Sequence, residues 1–179
     1  GSLTFENTFT PTAISETLKG TKSIDGRGWI TELDKDAYEF TIEKADGMPE
    51  DTPMPAQTTV TADVANEGAI TFPAITYTEA GTYKYVITES LAKDKDVPGV
   101  SADTQKVTAT VEVKYDKTTG KLSSTVTYAK EGGGTDFAFT NTYKADAVDV
   151  SGGITAEKKV QATDGNSYTM KGGEFEFTL

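Results

Sequence analysis

The chain alternates between apolar and polar residues with a period of two. In DAYEFTI, Tyr38, Phe40 and Ile42 share one face, and in GTYKYVITE, Tyr83, Tyr85 and Ile87 do the same. In KVTATVEVKY, Val107, Ala109, Val111, Val113 and Tyr115 oppose Lys106, Thr108, Thr110, Glu112 and Lys114. Val126 and Tyr128 continue the pattern, and Phe137, Phe139 and Tyr143 close it in FAFTNTY. This is the period of half-buried strands. Turn signals separate the runs: Ala45-Asp46-Gly47, Asn66-Glu67-Gly68, Glu79-Ala80-Gly81, Thr119-Gly120 and Gly132-Gly133-Gly134. No helical period stands out beyond a turn near residues 90–95. Short strands at this spacing predict an all-β sandwich. Residues 46–58, DGMPEDTPMPAQT, hold three of the six prolines and three acids, which predicts an exposed, mobile loop.

Strand parity also sets three polar residues on apolar faces. Lys22 falls with Leu18, Gly20 and Ile24, Glu89 follows Tyr83, Tyr85 and Ile87, and Asn141 lies between Phe139 and Tyr143. The parities of Lys19, Glu43, Glu112 and Asp136 take them to solvent. A lone buried Lys or Glu costs several kcal/mol, so each needs a partner. One reading is a buried ion pair with a hydrogen-bonded Asn, held for fold specificity. The other is chemical. Burial lowers the pKa of Lys and raises that of Glu, favouring a neutral amine and a protonated acid. A neutral amine is a nucleophile, and the Asn carboxamide is an electrophile that can release ammonia. A protonated Glu could polarise the carbonyl and move the proton, giving a Lys–Asn amide formed once inside the protein. Parity alone leaves both readings open.

Composition narrows the choice. The 179 residues contain no Cys and no His. That removes disulfides, thiolate nucleophiles, thiolate zinc sites, imidazole bases and His-based metal clusters, and no cofactor is implied. A turnover enzyme would be left with carboxylates, and no second inward acid accompanies Glu89. The formal charge of −11, with a single Arg, opposes binding to phosphate backbones, so no nucleic-acid partner is expected. No run of about 18 apolar residues exists, so no membrane insertion is expected. The 31 Thr residues suit pleated sheets, and a Thr-rich, acidic, Cys-free β-chain fits a Gram-positive surface protein.

The chain repeats itself as well. LTFENTFT echoes FAFTNTYK, aligning Asn7 with Asn141. LKGTKSI followed by AYEFTI echoes ITAEKKV followed by EFEFTL, aligning Lys22 with Lys158. The two offsets, 134 and 136 residues, agree closely. The expected organisation is the last strand of one repeat at 1–11, a complete repeat at 12–143, a polar linker at 144–153 and the first hairpin of another repeat at 154–179. Asn7 and Lys158 would then be bond partners belonging to neighbouring repeats. Without their own Glu strand they should form no bond within one chain, and the apolar faces of these end segments could pack on the central unit or pair between chains.

The central unit resembles the streptococcal pilin isopeptide linkage domain, found in pilin shafts and tandem-repeat surface adhesins of Gram-positive bacteria. The resemblance rests on GTKSIDGR, AYEFTI, AITFPAITYTEAGTYKYVITE, VTATVEV and FTNTY in this order. It implies an Ig-like, transthyretin-like β-sandwich with an intramolecular Lys–Asn isopeptide bond. By the resemblance, Lys22 on the first strand bonds to Asn141 of FTNTY, assisted by Glu89 at the end of YKYVITE. The implied role is a stalk repeat of an extracellular, cell wall-anchored protein, with adjacent repeats as neighbours and a host protein or glycan met by the full-length adhesin. No Leu-Pro-any-Thr-Gly sorting signal occurs here, so the resemblance does not extend to anchoring. The competing function is a ligand-binding adhesin module using the loops at 46–58 or 90–98.

Overall fold

In this computed structural model the described residues are 3–5, 10–92, 95–145, 157–160, 169, 171–173 and 175–176. The chain divides into two compact units, Gly1–Ala145 and Asp146–Leu179. The strands of the first unit follow the alternation. They are β1 (Ile14–Glu16), β2 (Lys19–Asp25), β3 (Tyr38–Lys44), β4 (Thr59–Ala62), β5 (Ala69–Thr71), β6 (Ile75–Tyr77), β7 (Gly81–Leu91), β8 (Val100–Ser101), β9 (Val107–Asp116), β10 (Lys121–Lys130) and β11 (Ala138–Tyr143).

Two sheets carry the architecture, a five-stranded one in the order β10-β9-β7-β3-β4 and a four-stranded one in the order β5-β2-β11-β8. The pair β1–β6 forms a small third sheet. The fold is thus the all-β sandwich that the alternation anticipates, consistent with the architecture that the resemblance implies. Tyr38, Phe40 and Ile42 of β3, Tyr85 and Ile87 of β7, and Val107, Ala109 and Val111 of β9 are all buried. Phe139 of the opposite sheet meets Phe40 with ring centroids 5.3 Å apart, closing the core between the layers. Tyr115 departs from the expected inward row: at the far end of β9 it is 36% exposed.

One pairing decides what the fold can do. β11 lies parallel to β2, with Phe139 opposite Lys22 and Asn141 opposite Ile24. The sandwich therefore brings its first long strand and its last one side by side, although Lys22 and Asn141 are 119 positions apart in the chain. A parallel pair cannot be closed by a hairpin, so the whole domain serves as its crossover. Close approach requires small residues here. A Cβ on Gly20 would lie 2.4 Å from the Phe137 ring and 2.6 Å from its carbonyl oxygen. On the other side of β2, the carbonyl of Gly68, at φ +73°, accepts from the Lys22 N–H (2.7 Å), and a Cβ there would lie 2.3 Å from the Lys22 carbonyl oxygen.

Two local expectations need correction. Residues 46–58 are not a free loop. Thr52 and Pro55 are buried, the Pro53 carbonyl accepts from the Tyr85 hydroxyl (2.8 Å), and the Glu50 carbonyl accepts from Lys44 Nζ (2.7 Å). Proline-rich sequence shows that a segment is irregular, but not whether side chains behind it hold it down. The segment 90–98 is likewise tied in. Ser90 and Leu91 end β7, the Ala92 N–H donates to the Ala37 carbonyl (2.9 Å), and Val97 is buried. A hydrogen bond from the Lys95 N–H to the Ala92 carbonyl (3.1 Å) lies where the turn is expected; residues 93–94 are outside the described residues.

The short helix α1 (Thr31–Asp34) is too brief to show a period, and sequence patterning passes over it. Its Asp34 is fully buried, held by both terminal nitrogens of Arg27 (2.7 and 2.8 Å), the Tyr38 hydroxyl (2.6 Å) and the Ile30 N–H (2.6 Å). The chain's single Arg thus joins the segment after β2 to β3. Within the Asp146–Leu179 unit, residues 157–160 have no regular secondary structure.

Candidate functional site

β2, β7 and β11 deliver Lys22, Glu89 and Asn141 to one point between the two sheets. Lys22 and Glu89 side chains are both 0% exposed, and Asn141 is fully buried. Parity achieves this because Leu18, Tyr85, Ile87 and Phe139, on the same faces, are pulled into the core and carry the three polar residues inward with them. Lys19, Glu43, Glu112 and Asp136 are all exposed, as their parities require.

The contacts are specific. Glu89 Oε1 lies 3.2 Å from Lys22 Nζ and also accepts from Asn141 Nδ2 at 2.6 Å. One carboxyl oxygen therefore touches both the amine and the amide nitrogen. Lys22 Nζ also donates to the Ser23 carbonyl (3.1 Å) and stands 4.9 Å from the centre of the Tyr38 ring. The Asn141 carbonyl oxygen accepts from the Asp103 main-chain N–H at 2.7 Å. A carboxyl acceptor on one side and an N–H donor on the other fix which way the carboxamide faces. Glu89 Oε2 is buried and has no hydrogen-bond partner.

Burial lowers the Lys22 pKa, even though the neighbouring Glu89 charge works against that shift. Burial likewise raises the Glu89 pKa, against the attraction of Lys22 and the hydrogen bond from Asn141. Both shifts favour the uncharged forms, an amine beside a carboxylic acid. An amine, a carboxamide and an acid bridging them form the set needed for amide exchange. Among the described residues no cluster of His, Cys, Asp and Glu could hold a metal ion.

Residues 18–144 match the family described as the Spy0128-like isopeptide containing domain, FctA. The chain belongs to this family. The matched span of this isopeptide containing domain includes all three converging residues. Among solved structures, a mutant form of the major pilin from Streptococcus pyogenes aligns at 20% identity and a TM-score of 0.49, covering 72% of this chain and 50% of that one. The unmutated major pilin from the same organism aligns at 20% identity and a TM-score of 0.47, with the same coverage. The T-13 major pilin from Streptococcus pyogenes aligns at 18% identity and a TM-score of 0.49, covering 75% of this chain and 55% of that one. The chain thus spans about half the length of the pilins it matches. No curated protein matches it significantly.

Other expected site residues stand apart from this cluster. Asn7 lies outside the described residues. Lys158 is exposed, with Nζ 4.9 Å from the centre of the Phe175 ring in its own unit. Sequence reasoning missed Asp103, Lys130 and Tyr38. Asp103 lies outside any strand, so parity says nothing about it, and its contact with Asn141 is made by main chain. Tyr38 reads by its parity only as a core residue. Beside the 46–58 segment lies a cleft of about 360 Å³, lined in part by Met48, Pro49, Thr52, Pro53 and Tyr83. Among the described residues no helix is long and apolar enough to cross a membrane.

Proposed function

We propose that Lys22 and Asn141 form an isopeptide bond promoted by Glu89, and that the bond makes this domain a force-bearing structural repeat. The observation that carries the reading is the single Glu89 oxygen in contact with both Lys22 Nζ and Asn141 Nδ2. Neutral Lys22 Nζ attacks Asn141 Cγ, forming a C–N bond. Glu89 takes a proton from the attacking nitrogen and delivers one to Nδ2, the C–Nδ2 bond breaks, and ammonia leaves. Glu89 ends as it began, so no cofactor or oxidant is consumed. The reaction occurs once per chain and leaves no free catalyst, which separates it from turnover catalysis.

Family membership and the parallel β2–β11 pairing support the structural role. Pulling an upstream neighbour from a downstream one loads β2 and β11 in shear. A covalent tie between them passes the force across the domain without loading the residues they enclose. We read residues 12–143 as the complete repeat, 1–11 and 154–179 as parts of adjacent repeats joined through 144–153, and the whole as part of an extracellular, cell wall-anchored pilin or adhesin.

Intact mass spectrometry tests the bond. The folded protein should be lighter than its sequence by one ammonia, and Lys22→Ala, Glu89→Ala and Asn141→Ala should each restore the mass expected for their sequence. Folded wild-type protein at full mass would leave only a buried ion pair.

A further inference from the structure

The converging triad does not account for the carbonyl oxygen of Asn141. When an amine adds to a carboxamide, negative charge develops on that oxygen, and in a dry site it needs a donor already in place. The Asp103 main-chain N–H is there at 2.7 Å. That segment also has an unusual anchorage. The Asp103 carboxylate accepts from Lys130 Nζ (2.7 Å) and from the N–H groups of Thr140 (3.0 Å) and Gln105 (3.0 Å). Lys130 Nζ in turn donates to the Ala138 carbonyl (2.7 Å) and stands 5.4 Å from the centre of the Phe139 ring. Both side chains are largely shielded, Lys130 at 15% exposure and Asp103 at 8%.

We propose that the Asp103 main-chain N–H is the oxyanion donor for bond formation, and that the Asp103 carboxylate and Lys130 are positioning residues that hold it against Asn141. The carboxylate grips Thr140, the residue beside Asn141, while its own peptide N–H reaches the Asn141 side chain. Donor and electrophile are therefore clamped by the same residue. Lys130 ties this clamp to β10 and to the start of β11. The carboxylate touches neither the amine nor the carboxamide; its charge reaches Lys22 and Glu89 only across space, whereas its direct hold is on Thr140, Gln105 and Lys130 around the donor. This inference rests on the proposed Lys22–Asn141 bond, and it concerns how fast that bond forms.

The test follows ammonia loss over time by intact mass after a pulse of cell-free synthesis of the full chain. The variants are Asp103→Ala, which frees the clamp, and Lys130→Met, which keeps a stem near Phe139 but removes the donors. Removing an oxyanion donor typically slows a reaction by about 10²–10³-fold, and loosening one should slow it by roughly 10-fold or more. Leu122→Ala, a truncation of a buried residue on β10, serves as a control for general destabilisation. The expected result is slow bond formation in both clamp variants and wild-type speed in a Leu122→Ala protein of equal or lower thermal stability. Wild-type speed in folded Asp103→Ala and Lys130→Met, or equal slowing in Leu122→Ala, would overturn the inference and leave the bond itself intact. No ammonia loss in the wild type would instead overturn the bond.

Discussion

Replacing Asn141 by Ala removes the proposed electrophile while leaving Lys22 and Glu89 in place, which makes it the cleanest way to measure what the proposed bond would contribute. Without the bond the unfolded chain regains the freedom of the loop between residues 22 and 141. By the chain-entropy relation used for disulfides, closing a loop of this size removes about 5 kcal/mol of unfolded-state entropy at 25 °C. The Asp103 N–H also loses its acceptor, which adds about 1–3 kcal/mol for a buried donor left unpaired. The sum, roughly 6–8 kcal/mol, is comparable to the whole stability of a typical domain. For a repeat of about 130 residues, the usual unfolding entropy per residue converts 6 kcal/mol into a fall in Tm of about 20 °C.

The assay is thermal unfolding followed by circular dichroism, with the mass of each sample measured first. The loop contribution should recur in Lys22→Ala, which opens the same loop by removing the other partner. Both variants should therefore melt far below the wild type, by at least the loop contribution. A wild type that is lighter by one ammonia yet melts within about 5 °C of Asn141→Ala would refute the reasoning. It would show that the bond forms but that the unfolded chain is already compact enough for the cross-link to constrain little.

Further consequences follow from the same geometry. The neutral amine–acid pair and the ion pair carry the same number of protons. The rate of bond formation should therefore be flat across a central pH range, falling at lower pH when Lys22 is protonated beside neutral Glu89 and at higher pH when Glu89 ionises. A steady rise with pH would argue for amine attack without the acid. Asp34 is a separate stability element. Burial acts to raise its pKa, but Arg27, the Tyr38 hydroxyl and the Ile30 N–H hold it below the usual carboxylate value. Its stabilisation is thus present above the unfolded-state pKa and lost as pH falls through the folded one. Asp34→Asn should cost about 3 kcal/mol in urea unfolding at pH 7 and should remove that acid-range sensitivity, because the Arg27 charge is left without its partner. Gly20→Ala should push β2 away from Phe137, costing about 1–3 kcal/mol by overpacking and slowing ammonia loss. In single-molecule pulling, Glu89→Ala should release a contour length of about 40 nm from the enclosed residues, and the wild type should release none of it.

The sequence carried the site further than it carried the surroundings, and the reason is geometric. Strand parity is a strict rule once the apolar face of a strand is known, so Lys22, Glu89 and Asn141 could be placed inward without knowing which strands were neighbours. Their convergence depends on the parallel β2–β11 register, and no local pattern encodes a pairing across 119 residues. Asp103 escaped notice for a different reason. Its contribution to Asn141 is a peptide N–H, which every residue but proline has, so nothing in its identity marks it. The 46–58 segment misled because prolines and acids read as exposure, whereas Tyr85, a residue chosen for its place in the core, reaches out with its hydroxyl to hold Pro53. The Arg27–Asp34–Tyr38 group was invisible to period because α1 is a single turn.

The site's placement also sets the order of events. Lys22 and Asn141 belong to one sheet and Glu89 to the other, so the three meet only when the sheets pack. Until then the amine is solvated and protonated, and the amide is inert. Packing desolvates both groups at once, which lowers the Lys22 pKa toward the neutral amine and raises that of Glu89 toward the neutral acid, the forms that the proposed reaction needs. In the proposed mechanism, the burial of an amine and an acid that would otherwise weaken the fold is what would make the reaction possible. A misfolded or partly unfolded chain, lacking the packed interface, has no route to the bond. The cross-link would then be made only in domains that have already reached the native arrangement, and each such domain would be tied across its two shear-bearing strands before it is loaded.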